Sequence, residues 1–353
     1  MTAPPLIVVP RFRLLGSLAV AFGAAGWVLF VARAAQGILG YALGPRVDSV
    51  WLYDWRVYYA GALDLVHRRL YLDGGIAVGS LKMPVDVFNY PPMAAALPIP
   101  LLPFGYELGG FIWVVMGVAA MLAGGLVAAR TTRKPAWLAF FGVFWLAYAV
   151  QPYFTRNIVL GNVNSFMLLI LAGFAWAHLR EHRRTAGILL GLAIAIKVWP
   201  VLIGVLLIRE RRWLEITWAG ALVAVQGVLV LLWLGPAFVP EMVNALRAVV
   251  PIPAGVVVLW TSWARESFLW WPAWGSVAAA GLLVALPARG RLGLGLGILA
   301  GLSLIANLWD HYLPTFALAA VLICSSDELA RVAQALWSRL ALRRLLADRA
   351  RPG

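Results

Sequence analysis

The sequence predicts an all-α polytopic membrane protein, a bundle of about ten transmembrane or re-entrant helices with an external amphipathic helix in its first loop. Three observations predict it. Hydrophobic residues make up 63% of the 353-residue chain and charged residues only 12%, against about a quarter in a soluble domain. Apolar runs of membrane-crossing length recur along the chain, and the cations fall in short clusters between them. A net charge of +14 would otherwise raise nucleic-acid binding, but cations so placed record membrane orientation, so membrane lipids are expected as partners and nucleic acid is not. The eighteen tryptophans suit interfacial belts, and the single Cys324 excludes an intramolecular disulfide or a cysteine metal cluster.

Taken in order, Arg11 and Arg13 precede the apolar run Leu14 to Ala32, which is long enough to span and too long for a signal-peptide core. It reads as an uncleaved first span despite the cleavage-like Ala32-Arg33-Ala34, with the N-terminus cytoplasmic. The polar stretch 44–92 is then external. Within it Trp55, Tyr58, Tyr59, Ala62, Leu63, Val66 and Leu70 repeat at helical spacing, and Arg56, Asp64, His67 and Arg68 take the other face. This pattern predicts a helix lying flat at the membrane surface with its aromatic rings at headgroup level and Asp54 at its start. The next piece, Pro92 to Pro103, is broken by Pro98 and Pro100, so it dips in without crossing. Leu108 to Ala129 crosses inward to Arg130, Arg133 and Lys134, and Trp137 to Val150 returns. Residues 151–165 are external, and the apolar residues through Ala177 cross back to Arg180, Arg183 and Arg184.

Thr185 to Ile208 has cations at both ends, so a single crossing would break the positive-inside pattern. The Lys197-Val-Trp-Pro200 break at its middle predicts a hairpin of two short helices, with Lys197 at the apex opening to the outer side. Trp213 to Leu234 runs outward, 235–266 is an external segment with Pro236, Pro240, Pro251 and Pro253, and Phe268 to Leu286 goes inward to Arg289 and Arg291. Leu292 to Leu308 then delivers Trp309, Asp310 and His311 to the outer surface, and Tyr312 to Cys324 returns. The tail sets six arginines against Asp327, Glu328 and Asp348 and repeats Leu329, Val332, Leu336 and Leu340, which predicts an amphipathic helix on the cytoplasmic surface. The chain thus divides into a transmembrane domain, residues 1–325, whose external loop is 44–92, and a cytoplasmic tail, residues 326–353.

This orientation comes from loop cations alone, yet it sends Asp54, Arg156, Asn162, Asn164, Lys197, Asp310 and His311 to one face. A carboxylate, a histidine, a lysine and an arginine at the lipid boundary suit a substrate that is half lipid and half polar: the cations can hold a phosphate and the carboxylate can take a proton from a hydroxyl. Each residue also has a plainer role open to it. Asp54 can be a helix N-cap, Lys197 can snorkel, Asn162 and Asn164 can cap the helix that follows, Arg156 can mark the interface, and His311 can meet a backbone carbonyl.

An external Asp followed by Tyr58-Tyr59-x-Ala, then Phe88-Asn-Tyr-Pro-Pro92, Gly161-Asn-Val-Asn164, Ala195-Ile-Lys-Val-Trp-Pro200 and Trp309-Asp-His-Tyr312 resembles the polyprenol-phosphate-mannose-dependent alpha-mannosyltransferases. These are GT-C glycosyltransferases of the bacterial cell envelope, of glycosyltransferase family 87 type, and arabinofuranosyltransferases are found among them. The likeness covers most of the chain. It implies a GT-C-like bundle in the bacterial inner membrane, both termini cytoplasmic, moving a sugar, mannose first, from a polyprenyl-phosphate donor to an envelope glycolipid or glycan hydroxyl on the outer face, with inversion. The family's catalytic aspartate falls on Asp54, its late site histidine on His311 and its Lys-Pro turn on Lys197. Donor phosphate contacts are then expected from Lys197, His311 and Arg156, and substrate contacts from Tyr58, Tyr59, Tyr90, Asn162, Asn164, Trp309 and Asp310. No glycine-rich phosphate loop, nucleotide motif or metal-ligand cluster is visible, so neither cofactor nor metal is expected.

The chain departs from the family's common Gly-Gln-x-Asn at Gly161-Asn-Val-Asn164, and from its Asn-Gln-Ser-Leu at Arg265-Glu-Ser-Phe268; both bear on the acceptor. Two other classes stay open. A lipid-linked-sugar transporter or flippase would line both halves of the membrane with polar residues, and a noncatalytic scaffold would tolerate loss of Asp54.

Overall fold

The computed structural model describes residues 11–43, 51–71, 88, 90–132, 136–151, 154–247, 288–303, 312–331, 334–335 and 338. The inward crossing expected over Phe268 to Leu286, the Arg265-Glu266 departure and the Trp309-Asp310-His311 triplet lie outside them. Among the described residues every regular element is a helix: α1 Arg11–Leu43, α2 Tyr53–Val66, α3 Pro92–Ala96, α4 Gly105–Thr131, α5 Ala136–Ala149, α6 Phe154–Val159, α7 Asn164–Leu179, α8 Arg183–Ile196, α9 Ile203–Arg209, α10 Trp213–Leu234, α11 Phe238–Arg247, α12 Gly290–Ser303 and α13 Leu313–Cys324. Short 3-10 turns at Ile99–Phe104 and Trp199–Leu202 absorb the prolines that an α-helix would reject. Among the described residues three stretches are long and apolar enough to cross a membrane: Val20–Leu43, Pro92–Thr131 and Trp213–Leu234.

Neighbouring helices pack in pairs, α1 on α5, α4 on α7, α7 on α8, α8 on α10 and α12 on α13. In the first pair the backbones nearly touch, since a Cβ added to Gly26 would collide with the Gly142 carbonyl. Such close approach through small residues is how apolar helices adhere where lipid removes the hydrophobic drive. Around that crossing Phe30, Phe141, Trp145, Tyr148 and Phe154 form a buried aromatic cluster with neighbouring ring centroids 4.5 to 6.3 Å apart.

The expected hairpin is present. Helix α8 ends at Lys197, whose backbone is extended (φ −142°, ψ 133°), and the Trp199–Leu202 turn with α9 runs back. The return brings Arg212 onto Glu181, with Nη1 2.5 Å and Nη2 2.8 Å from the two carboxylate oxygens. His178, at the end of α7, reaches Glu215 of α10 at 2.7 Å and Glu210 at 3.5 Å. Glu210 in turn accepts the Gly290 N–H at the start of α12, and Arg291 donates to the Thr131 and Ser325 carbonyls. The cation-bearing ends of α4, α8, α9 and α12 therefore meet at one end of the bundle together with the end of α13, and the start of α7 lies at the other.

Helix α2 departs from expectation. Its predicted polar face is only half solvated: Arg56 and Asp64 are buried, whereas His67 and Arg68 are exposed. On its buried side the helix is packed by α3, the Ile99–Phe104 turn and α4. The Arg56 guanidinium stacks 4.7 Å from the Tyr53 ring centroid, which lets a cation be buried against an aromatic face. At the other end of α2, Trp233 of α10 donates to the Leu65 carbonyl at 2.7 Å, and Arg68 lies 4.2 Å over the Trp233 ring. Helix α11 occupies part of the proline-rich stretch expected outside, and of the described tail residues 327–331, 334–335 and 338 are helical.

Candidate active site

The site is built where α2 begins. Its first backbone donors are met by the link between α6 and α7: Leu52 N–H donates to Val159 O, and Asp54 and Trp55 N–H both donate to Leu160 O, at 2.9 to 3.0 Å. These carbonyls do what a capping side chain would do, and no side chain caps the helix. Asp54 stands in the first turn of the helix, as expected, but does not take the plainer role of N-cap. Leu52 holds the cap position in a left-handed conformation (φ 58°), and Asp54 is the second helical residue, so its carboxylate is released for other work.

That carboxylate meets Asn162, whose Nδ2 donates to Asp54 Oδ2 at 2.8 Å. Asn162 Oδ1 accepts the Asn164 N–H at 2.9 Å, so the same side chain closes an Asx turn at the start of α7. The preceding Gly161 has φ +72°, and a Cβ there would stand 3.0 Å from the Trp55 Cβ. Only glycine fits, and its carbonyl is fixed by Trp113 Nε1 at 2.7 Å. Asn164 is 2% exposed and its Nδ2 has no hydrogen-bond partner, which leaves a buried donor beside the carboxylate segment.

From Asp54 an aromatic path leads to the hairpin apex. Tyr58, one turn along α2, is fully buried and accepts the Val163 N–H at 3.4 Å; its ring lies 5.1 Å from that of Tyr90, just before α3. Tyr90 is held by Tyr71, whose hydroxyl donates to its carbonyl at 2.6 Å. Lys197 Nζ sits 5.3 Å from the Tyr90 ring centroid and 4.7 Å from that of Tyr312, and donates to the Tyr312 hydroxyl at 2.8 Å. Lys197 is 7% exposed, and its ammonium is within electrostatic reach of Asp54. Two aromatic faces and one hydroxyl surround this buried cation, and a charge so placed can attract an anion.

The structure thus brings together Asp54, Tyr58, Tyr90, Asn162, Asn164 and Lys197. Tyr59 packs between Trp55 and Tyr106, with ring centroids 5.5 and 5.6 Å away. Arg156 lies on α6, next to the link that holds α2, and its side chain is outside the described residues. Trp309, Asp310 and His311 are outside them too, but Tyr312, their immediate neighbour, is at the Lys197 ammonium. Tyr312 and Trp113 are the residues sequence reasoning missed. Tyr312 closes the Trp-Asp-His-Tyr motif and was within reach of that signal; Trp113 stands in an apolar run with nothing to mark it.

The sequence profile described as glycosyltransferase family 87 matches residues 88–326, more than half of the chain. The chain belongs to glycosyltransferase family 87. Helix α2, with Asp54, lies ahead of the matched residues, whereas Asn162, Lys197 and Tyr312 lie within them. Among curated proteins the chain is 30% identical over 193 residues to a polyprenol-phosphate-mannose-dependent alpha-(1-2)-phosphatidylinositol pentamannoside mannosyltransferase of Mycobacterium tuberculosis (strain CDC 1551 / Oshkosh), covering 51% of this chain and 43% of that one. It is 32% identical over 232 residues to a polyprenol-phosphate-mannose-dependent alpha-(1-2)-phosphatidylinositol mannoside mannosyltransferase of Mycolicibacterium smegmatis, covering 59% and 50%. The matches thus span about half the length of these relatives. No solved structure gives a significant match.

Proposed function

We propose that this family 87 glycosyltransferase transfers mannose from a polyprenyl-phosphate donor to a hydroxyl of an envelope glycolipid or glycan, at the outer face of the bacterial inner membrane, with both termini cytoplasmic. Asp54 takes the proton of the acceptor hydroxyl, whose oxygen forms a bond to the anomeric carbon as the bond to the polyprenyl phosphate oxygen breaks. The sugar's configuration inverts in this single displacement, and the phosphate leaves with the bonding electron pair. Lys197 holds the leaving phosphate, joined by Arg156 and His311; Tyr58, Tyr59, Tyr90, Asn164, Trp309 and Asp310 surround the sugar and the acceptor.

One observation carries this reading: a carboxylate on α2 and a buried lysine at the hairpin apex share one end of the bundle, bridged by Tyr58 and Tyr90. The donor class is the one printed in the names of both relatives. The transporter reading draws no support from α7, whose buried middle, Met167, Leu168, Leu171, Ala172, Phe174 and Ala175, is apolar. The test is mannosyl transfer by purified protein in lipid nanodiscs, with polyprenyl-phosphate mannose and phosphatidylinositol mannosides as probes. Transfer that needs Asp54 is the expected result; translocation of the donor across the bilayer without transfer would replace this reading with the transporter.

A further inference from the structure

Asn162 stands between two fixed neighbours. Its Oδ1 takes the Asn164 N–H at 2.9 Å and its Nδ2 gives a proton to Asp54 Oδ2 at 2.8 Å. The two contacts lock each other. Flipping the amide would set its oxygen against the Asp54 carboxylate and its NH2 against a backbone N–H, so that both contacts would become repulsive. The backbone beneath is fixed by Gly161 in its left-handed conformation and by the Trp113 bond to the Gly161 carbonyl, and the residue is 5% exposed. The amide donor is thus delivered to Asp54 from a rigid part of the fold across 108 residues of sequence.

We infer that Asn162 is the positioning residue for Asp54: its locked amide fixes the rotation of the carboxylate and favours the ionised form that can accept a proton. The inference rests on the reading of Asp54 as the base. A carboxylate on the first turn of a helix can rotate about its terminal torsion, and a base rotated away from the acceptor proton loses rate before it loses binding. A donor to the charged carboxylate stabilises that form over the neutral one. Asn162 need not touch either substrate for this role, which differs from the substrate contact expected of it from sequence.

The test is a double-mutant cycle on the full chain in nanodiscs, with polyprenyl-phosphate mannose and phosphatidylinositol mannosides as probes. Asn162→Ser keeps an oxygen for the turn and removes the donor toward Asp54. It should lower kcat by about 10²-fold with KM for both probes little changed, at unaltered thermal stability. Asn162→Asp keeps the turn as well but faces Asp54 with a second carboxylate, and should lower kcat at least as far. In an Asp54→Asn background, Asn162→Ser should cost nothing further, because the group it aims is already gone. Full kcat in both Asn162 variants, with Asp54→Asn inactive, overturns the positioning role and leaves the base in place. Losses that multiply across the cycle also overturn it, since Asn162 would then act independently of Asp54. An Asp54→Asn variant with parental turnover would remove the base itself, and the inference with it.

Discussion

At the scale of single residues, a half-buried carboxylate and a buried ammonium decide what this site can do. Asp54→Asn retains an oxygen for the Asn162 amide and leaves the backbone-capped start of α2 untouched. Folding should therefore survive, while transfer falls by about 10²–10⁴-fold, the usual contribution of a positioned base. Rate at matched thermal stability checks this. Lys197→Met keeps the length and apolar stem and removes the charge between Tyr90 and Tyr312. A hydrogen bond to a charged group contributes about 1.5–3 kcal/mol, so kcat/KM for the donor should drop roughly 10- to 100-fold while acceptor KM holds. An acceptor-side defect instead would place the phosphate elsewhere. Both residues were legible in the sequence because a charge amid apolar residues announces itself. Tyr312 and Trp113 were not: in a chain that is 12% aromatic, a ring that positions a site looks like a ring that fills the core. The meeting of Asn162 with Asp54 was also hidden, since two short polar side chains distant in sequence carry no periodicity that would pair them.

At the scale of elements, the hairpin was readable and the docking of α2 was not, for related reasons. The hairpin is written in charge, with cations at both ends of one apolar run and a proline at its middle. What the cations do on meeting is tertiary. Arg212 holds the Glu181 carboxyl down at about 2, below its ordinary 4.5, so the pair's contribution is complete above pH 4.5 and fades as pH falls toward 2. Because Glu181 is half exposed, Glu181→Gln should cost only about 0.2–1 kcal/mol near neutral pH, and that difference should vanish toward pH 2 in thermal unfolding. The His178–Glu215 pair differs, with both side chains almost wholly buried and Glu215 Oε1 lacking a partner. Removing one member strands the other, so His178→Leu should destabilise by about 3–5 kcal/mol, and adding Glu215→Leu should recover most of it. Both variants should keep parental kcat at low temperature, because the pair lies at the end of α7 away from Asp54. Helix α2 misled because its polar residues keep helical spacing whether water or protein covers them. Arg56 finds the Tyr53 face and Asp64 is approached by Arg69 at 3.9 Å, and neither contact leaves a mark in hydrophobic periodicity.

At the scale of the whole molecule, the two ends of the bundle are chemically different, and that difference was legible because it accumulates over many loops. Arg212, Arg291 and the ion pairs around Glu181 collect at one end, while Asp54, Asn162, Lys197 and Tyr312 collect at the other. Cations resist translocation, so the first end should face the cytoplasm and the second the outside. The span expected over Phe268 to Leu286 adds one crossing to this count, so the orientation has to be measured at both ends. Cys324, the chain's only cysteine, is exposed at the cationic end and is a native probe of it. In intact cells a membrane-impermeant maleimide should leave Cys324 unlabelled and should label it once the membrane is permeabilised. In a Cys324→Ser background, Val66→Cys, exposed near the end of α2, should react in intact cells, and Arg184→Cys, exposed at the start of α8, should react only after permeabilisation. If Val66→Cys proved reachable only from the cytoplasm, Asp54 and Lys197 would face the wrong compartment for an envelope acceptor, and the proposed transfer would have no substrate on that side.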